Sequence, residues 1–114
     1  MLHKMQLAPQ PMSKIKSGRK TIELRLYDEK RRLIKIGDKI EFTDTENPEN
    51  KLLVKVLGLY RFESFAELYE KLDLLKCGYD EYSVKTASPK DMNIYYSEER
   101  QAEYGVVGIE TEVV

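Results

Sequence analysis

The feature that most constrains the fold is one long apolar stretch, KLLVKVLGLYRF, at residues 51–62. Apolar side chains recur at every second position through Leu52, Val54 and Val56, which is the period of a strand with one buried face. Twelve residues in a strand span about 40 Å, and Gly58 in the middle predicts a bulge or a sharp bend. A strand this long, bent around a core, predicts a small and strongly curved sheet or barrel.

The remaining elements are short. Strand-like segments are predicted at 3–7, 20–26, 39–43 and 106–113, and helices at 12–17, at 65–72 and from Ser88-Pro89 to Tyr104 with a break at Ser97. Residues 73–87 have no clear period and are predicted to form a surface loop. A chain of 114 residues has material for one core. We therefore predict one α+β domain over residues 1–114, mainly β, with about five to six strands and flanking short helices.

Charge is unevenly distributed along the chain. The overall net charge of −1 argues against a generic polyphosphate binder. Residues 1–36, however, hold ten Lys and Arg against three Asp and Glu, whereas residues 37–114 hold nine against seventeen. The amino-terminal third is therefore a basic pole, which favours an anionic or phosphate-bearing ligand.

Several other classes are excluded or disfavoured. One cysteine, Cys77, cannot form an internal disulfide, and the first ten residues lack the apolar core of a secretory signal. No apolar run approaches the ~18 residues of a membrane span, so we expect a cytoplasmic protein. His3 is the sole histidine, so no Cys/His metal cluster is available and no cofactor is expected.

The predicted strand at 20–26 carries the candidate site. Thr21, Glu23 and Arg25 alternate with apolar residues, and side chains two apart on a strand are about 6.6 Å apart on one face. Lys20, at the strand end, has a stem long enough to reach the mouth of a cleft. The alternative interpretation is a solvated edge strand with a weak surface ion pair.

Neighbouring residues complete the predicted site. Basic side chains bracket the strand and would give the cleft a positive field; they are Lys14, Lys16, Arg19, Lys30, Arg31 and Arg32. We predict that the first three of these hold nucleic-acid backbone phosphate. Tyr95 and Tyr96 are candidate stacking platforms for an unpaired base, although core packing is the commoner role of such tyrosines.

Three ordered motifs resemble a known family. The run IKSGRKTIELR (15–25), then IKIGDKIEF (34–42) and finally YGVVGI (104–109), resemble the ASCH domains of the PUA-like superfamily. The resemblance implies a small β-barrel, a cleft lined by the strand that contains Lys20 to Arg25, and binding of RNA or modified nucleosides. Some bacterial members are similar to amidohydrolases that deacetylate N-acetylated cytidine with a lysine, a threonine and a glutamate. Lys20 matches their lysine, and Glu23 aligns with their threonine.

The leading prediction is a binding module with a positively charged cleft for RNA or a modified nucleoside. Its ligand contacts would be Lys20, Thr21, Glu23, Arg25, Tyr95 and Tyr96. The first alternative is an amidohydrolase acting on an acylated nucleoside, with Lys20, Thr21 and Glu23 as its catalytic residues. The second alternative is a protein-interaction module that uses the acidic carboxyl-terminal two thirds. The sequence leaves the oligomeric state open.

Overall fold

The structure, a computed structural model, describes residues 1–114 and contains five strands and three α-helices. The strands are β1 (Leu2–Leu7), β2 (Ile22–Leu26), β3 (Lys39–Asp44), β4 (Lys51–Phe62) and β5 (Val106–Val113). The α-helices are α1 (Pro9–Lys16), α2 (Phe65–Lys71) and α3 (Glu98–Tyr104). Three 3₁₀ helices lie at Arg31–Leu33, Ser83–Thr86 and Pro89–Ile94. The predicted α+β class is confirmed, and no helix is long and apolar enough to span a bilayer.

The strands form one curled sheet in the order β1-β3-β4-β5-β2. Strands β1 and β3 are parallel, and every other neighbouring pair is antiparallel. Because β1 and β2 each pair on one side only, the sheet is a half-barrel with an open seam between its two edge strands. One side chain crosses that seam: Nη2 of Arg25 on β2 donates to the carbonyl of Gln6 on β1 at 2.7 Å.

The long strand β4 organises this curvature. Its first half pairs with β3, whereas its register with β5 runs from Val54 to Phe62. A register shift between Val56 and Gly58 marks the predicted bulge, which is confirmed. A Cβ at residue 58 would lie 3.0 Å from the side-chain oxygens of both Glu110 and Tyr60, so the glycine leaves room for the hydrogen bond between these two side chains. The bulge increases the local twist and curls the sheet.

Apolar side chains pack in two clusters. One fills the concave side of the sheet and receives α1; its fully buried members include Ile40, Phe42, Val54 and Ile109. The other lies between β2, the start of β5 and α2, and includes Leu26, Phe65 and Leu68. Helix α2 starts at the predicted residue 65, after a cap in which the Ser64 hydroxyl accepts from the Glu67 amide.

Helix α1 begins earlier than the predicted residue 12. Pro9 and Pro11 both lie in its first turn, where backbone amides have no intrahelical partner, so the missing N–H groups cost nothing. The first helical hydrogen bond runs from the Met12 amide to the Ala8 carbonyl at 3.1 Å. The prolines therefore start the helix instead of preceding it.

Candidate ligand-binding site

A cavity of about 830 Å³ opens at the seam of the half-barrel. Its walls come from the end of β1, the start of α1, strand β2 and the chain from Cys77 to Tyr96. The volume lies in the upper part of the range of small-molecule sites in proteins. Among the predicted ligand residues, the lining includes Lys20, Glu23, Arg25, Tyr95 and Tyr96. We refer to this cavity as the seam pocket.

A buried carboxylate between two cations forms the floor of the seam pocket. Glu23 is only 4% exposed. Its Oε1 lies 2.7 Å from Nζ of Lys20, and its Oε2 lies 2.9 Å from both Nε and Nη2 of Arg25. Since Arg25 also bonds the Gln6 carbonyl, the three side chains are fixed to both edges of the seam.

The ion pairs keep Glu23 charged despite its burial. Burial is the largest single influence and raises the pKa of the carboxyl group. The charges of Lys20 and Arg25, together with their hydrogen bonds, outweigh it and hold the pKa of Glu23 below its ordinary value. For Arg25, burial is the largest single influence and lowers the pKa, but the Glu23 carboxylate, together with Tyr96 and Asp28, outweighs it and raises the pKa above its ordinary value. The floor is therefore a fixed set of charges and not a mobile surface pair.

Lys20 enters the pocket because the chain before β2 is not a regular strand. The amides of Thr21 and Ile22 both donate to the Lys76 carbonyl, at 2.9 and 3.0 Å, which breaks the alternation of side chains at this point. The stem of Lys20 then lies over Gly78, where an added Cβ would be 3.2 Å from Cδ of the lysine. Gly78 has φ +109°, a conformation that glycine adopts readily. Because glycine has no side chain, the Lys20 side chain can pass over residue 78 into the pocket.

The same irregularity removes Thr21 from the seam pocket. Thr21 lines a second hollow of about 320 Å³, together with Lys16, Thr111 and Glu112, and Lys20 lines both hollows. Glu23 and Arg25 line the seam pocket, whereas Thr21 is not among its lining residues. Thr21 lies directly before β2, and its carbonyl still accepts from the Thr111 amide of β5 at 2.8 Å. The predicted catalytic set is divided between the two hollows: Lys20 lines both, Glu23 lines the seam pocket and Thr21 lines the other.

The predicted positive charge of the cleft is also not found. The lining contains three positively and three negatively charged side chains. The positive ones are Lys14, Lys20 and Arg25, and the negative ones are Glu23, Glu46 and Asp91. The basic residues after β2 have structural roles outside the pocket: Nε of Arg32 donates to the Tyr27 carbonyl at 2.8 Å, and Arg31 pairs with Asp28 at 3.4 Å. A seam pocket with balanced charges suits a neutral ligand better than a polyanion.

The three predicted phosphate contacts lie in different surroundings. Lys14 points inward, and its Nζ donates to the Gly78 carbonyl at 2.9 Å. Lys16 and Arg19 are exposed, and Nε of Arg19 donates to the Ser17 hydroxyl at 3.0 Å. Only Lys16 and Arg19 therefore remain available to a nucleic-acid backbone outside the pocket.

The two adjacent tyrosines occupy different positions. Tyr96 lies on the inner wall and stacks on Phe65 with ring centroids 6.3 Å apart and an interplanar angle of 17°. Burial is the main reason that the pKa of the Tyr96 hydroxyl is raised. Tyr95 is 65% exposed and stands at the mouth. The reason is that the turn after Pro89–Ile94 directs successive side chains to different sides.

Sequence reasoning missed part of the pocket wall. The hydroxyls of Tyr69 and Tyr79 form a hydrogen bond at 2.8 Å, and the Tyr79 hydroxyl donates to Asp91 Oδ2 at 2.7 Å. Cys77 lies beside them, and burial raises the pKa of its thiol to about 11, so the sulfur is protonated at neutral pH. Tyr79 and Cys77 come from the segment that lacks periodicity, and the cap position of Asp91 after Ser88 was the one local signal. No group of three or more His, Cys, Asp or Glu side chains is arranged to hold a metal ion.

Comparison with known proteins extends over the whole chain. A family model described as ASCH domain matches residues 5–114. The hypothetical protein PH0355 is 41% identical, with a TM-score of 0.80 and full coverage of both chains. Protein PF0455 from Pyrococcus furiosus is 37% identical, with a TM-score of 0.76, over 100% of this chain and 98% of that one. A search of curated proteins found no match.

More distant structures share the fold alone. The ASCH protein from Zymomonas mobilis is 13% identical, with a TM-score of 0.68, over 98% of this chain and 69% of that one. An ASCH domain from Lactobacillus crispatus is also 13% identical, with a TM-score of 0.65, over 98% and 79%. The curled sheet and its flanking helices are thus retained where little of the sequence is.

Proposed function

This chain belongs to the ASCH domain family, and on that basis we propose that it binds RNA or a modified nucleoside by holding one nucleobase in the seam pocket. The observation that carries the proposal is the buried, ionised Glu23 fixed between Lys20 and Arg25 on the pocket floor. An ordered polar floor below an otherwise partly apolar wall is how small-molecule sites obtain orientation as well as affinity. We infer that the protein acts in the cytoplasm.

The unused hydrogen-bonding capacity of the floor defines what the ligand presents. An ammonium group has three donors, and Lys20 commits one of them to Glu23. Nη1 of Arg25 has no protein partner, because the bonds to Glu23 and Gln6 use Nε and Nη2. These free donors face acceptors such as a base carbonyl or ring nitrogen, and the remaining lone pairs of Glu23 accept from an exocyclic amine.

The charge balance of the lining favours a position outside the seam pocket for phosphate. Glu23, Glu46 and Asp91 offset the attraction that Lys14, Lys20 and Arg25 would exert on a phosphate group inside it. In an RNA ligand, the phosphates lie at the surface, where Lys16 and Arg19 are exposed. Nucleoside affinity should therefore be nearly independent of salt, whereas RNA affinity should fall as salt rises, with a slope that Lys16→Ala and Arg19→Ala each reduce.

Binding is favoured over hydrolysis by the position of Thr21. Acyl transfer needs the nucleophile, its base and the group that orients the base around one substrate, whereas Thr21 lines the other hollow, which Lys20 also lines but Glu23 does not. Cys77 does not replace it as a nucleophile, because a protonated thiol is weakly nucleophilic. The proposal therefore assigns Lys20, Glu23 and Arg25 to ligand recognition.

The test is titration calorimetry with the four ribonucleosides and N-acetylated cytidine, with chromatography of each mixture after long incubation. We expect saturable binding of at least one nucleoside without product, and at least tenfold weaker binding by Lys20→Ala. Lys39→Ala, which removes an exposed lysine at the start of β3, is the matched control. No binding of any nucleoside or of single-stranded RNA would refute the proposal, and product formation lost in Lys20→Ala would replace it with the hydrolase.

A further inference from the structure

Two large apolar side chains at the mouth of the seam pocket are exposed to solvent. Ile94 is 80% exposed and Tyr95 is 65% exposed, yet both line the cavity. They end the 3₁₀ helix Pro89–Ile94, directly before Tyr96 on the inner wall. We call Ile94 and Tyr95 the rim platform. A ligand contained within the cavity would leave most of this apolar surface in contact with water.

The rim platform is held in place by its neighbours. Nε2 of Gln101 on α3 donates to Asn93 Oδ1 at 2.9 Å and to the Tyr96 carbonyl at 3.0 Å. Nδ2 of Asn93 donates to Glu98 Oε1 at 3.0 Å. These bonds fix the backbone on both sides of the platform. A fixed aromatic side chain loses little conformational freedom when a planar ligand stacks on it.

The two tyrosine rings present faces to different sides. Their centroids are 6.4 Å apart, and their planes are inclined by 52°. One face of Tyr96 is covered by Phe65, whereas Tyr95 is open. Tyr96 lines the inner wall of the pocket, and Tyr95 stands at its mouth. The arrangement provides one site inside the pocket and one outside it.

We propose that the natural ligand is a nucleotide within single-stranded RNA, and that the rim platform stacks the base adjacent to the one held in the seam pocket. This inference rests on the proposed function. Stacking on an aromatic side chain accepts any base, so the platform would add affinity without adding sequence preference. It also explains why the inner lining lacks excess positive charge: the phosphates that join the two bases lie outside the pocket.

The experiment compares three probes on the purified protein at constant salt. The first is the ribonucleoside that binds most tightly, the second is a trinucleotide with that base in the middle, and the third is the same trinucleotide with abasic flanking positions. The abasic probe retains the phosphates and removes only the neighbouring bases. Tyr95→Ala tests the platform. Tyr82→Ala is its matched control, because Tyr82 is 73% exposed on the same segment and does not line the cavity.

The expected result is that the trinucleotide binds on the order of tenfold more tightly than the abasic probe. Tyr95→Ala should abolish this difference between the two trinucleotides, and Tyr82→Ala should leave it unchanged. If the nucleoside binds but the neighbouring bases add nothing, or if Tyr95→Ala leaves their contribution intact, the inference is wrong while the proposed function stands. Failure of all three probes to bind would refute both.

Discussion

Replacing Glu23 by glutamine tests the charged floor directly. The substitution keeps the size and shape of the side chain and removes its charge. Lys20 and Arg25, whose side chains are 11% and 12% exposed, would then face each other without the anion that they share. Glutamine offers one oxygen as an acceptor where the carboxylate offers two. At least one of the two hydrogen-bonded contacts is therefore lost.

The expected loss of stability is about 3 kcal/mol. Removing one member of a buried ion pair costs ~3–5 kcal/mol, because the partner remains buried and unpaired. The retained amide oxygen recovers part of this, at ~1–1.5 kcal/mol for a hydrogen bond. For a chain of this size, the loss corresponds to a decrease in Tm of about 12 °C.

The pH dependence of the free energy of unfolding tests the stabilisation by Glu23 independently. The pKa of Glu23 is lowered in the folded protein from an ordinary value of 4.5. Its contribution to stability is therefore complete above pH 4.5 and is lost as the pH falls through the folded-state pKa. The difference between the parent protein and Glu23→Gln should be constant from pH 8 to about 5 and should shrink at lower pH.

Urea denaturation followed by far-ultraviolet circular dichroism provides the measurement. Glu41→Gln is the matched control, because Glu41 pairs with Lys51 at 3.7 Å near the surface and should cost less than ~1 kcal/mol. A Glu23→Gln protein within 0.5 kcal/mol of its parent, or a difference that grows below pH 4.5, would refute the ion-pair argument.

Two further predictions concern the path of Lys20 and the state of Cys77. Gly78→Ala and Gly37→Ala should each destabilise the protein by ~1–3 kcal/mol, because φ is +109° and +95° at these positions. Only Gly78→Ala, whose Cβ would press on Lys20, should also raise the pKa of Glu23 measured by carbon-13 NMR; equal pKa values in both variants would contradict the assigned path. The Cys77 thiol should react with iodoacetamide far more slowly than the same thiol in urea at pH 8, since it is buried and its pKa is raised to about 11; equal rates, followed by mass spectrometry, would show that it is accessible.

Local pattern was sufficient for nearly every element. The twelve-residue strand with its bulge at Gly58, the helix after Ser64 and the last strand all lie where the sequence predicts them. The reason is that each of these signals is local. The apolar period of a strand or a helix, the cap of a helix and the glycine of a bulge each depend on a few neighbouring residues. The predicted start of α1 is three residues too late. Proline occurs both in the extended chain before a helix and in the first turn of the helix, and the sequence does not distinguish the two.

The site separates what the sequence by itself determined from what tertiary structure decided. Composition, periodicity and the motif around Lys20 were enough for the fold class, the family and the strand that carries Glu23 and Arg25. Only the folded chain decided that Thr21 lines a different hollow from Glu23, that three acidic groups balance three basic ones, and that Gln6 and Gly78 border the same cavity. Those facts depend on which distant segments meet at the open seam of the sheet. Local periodicity does not specify these tertiary contacts, because they depend on the packing of edge strands and loops that are far apart in the chain.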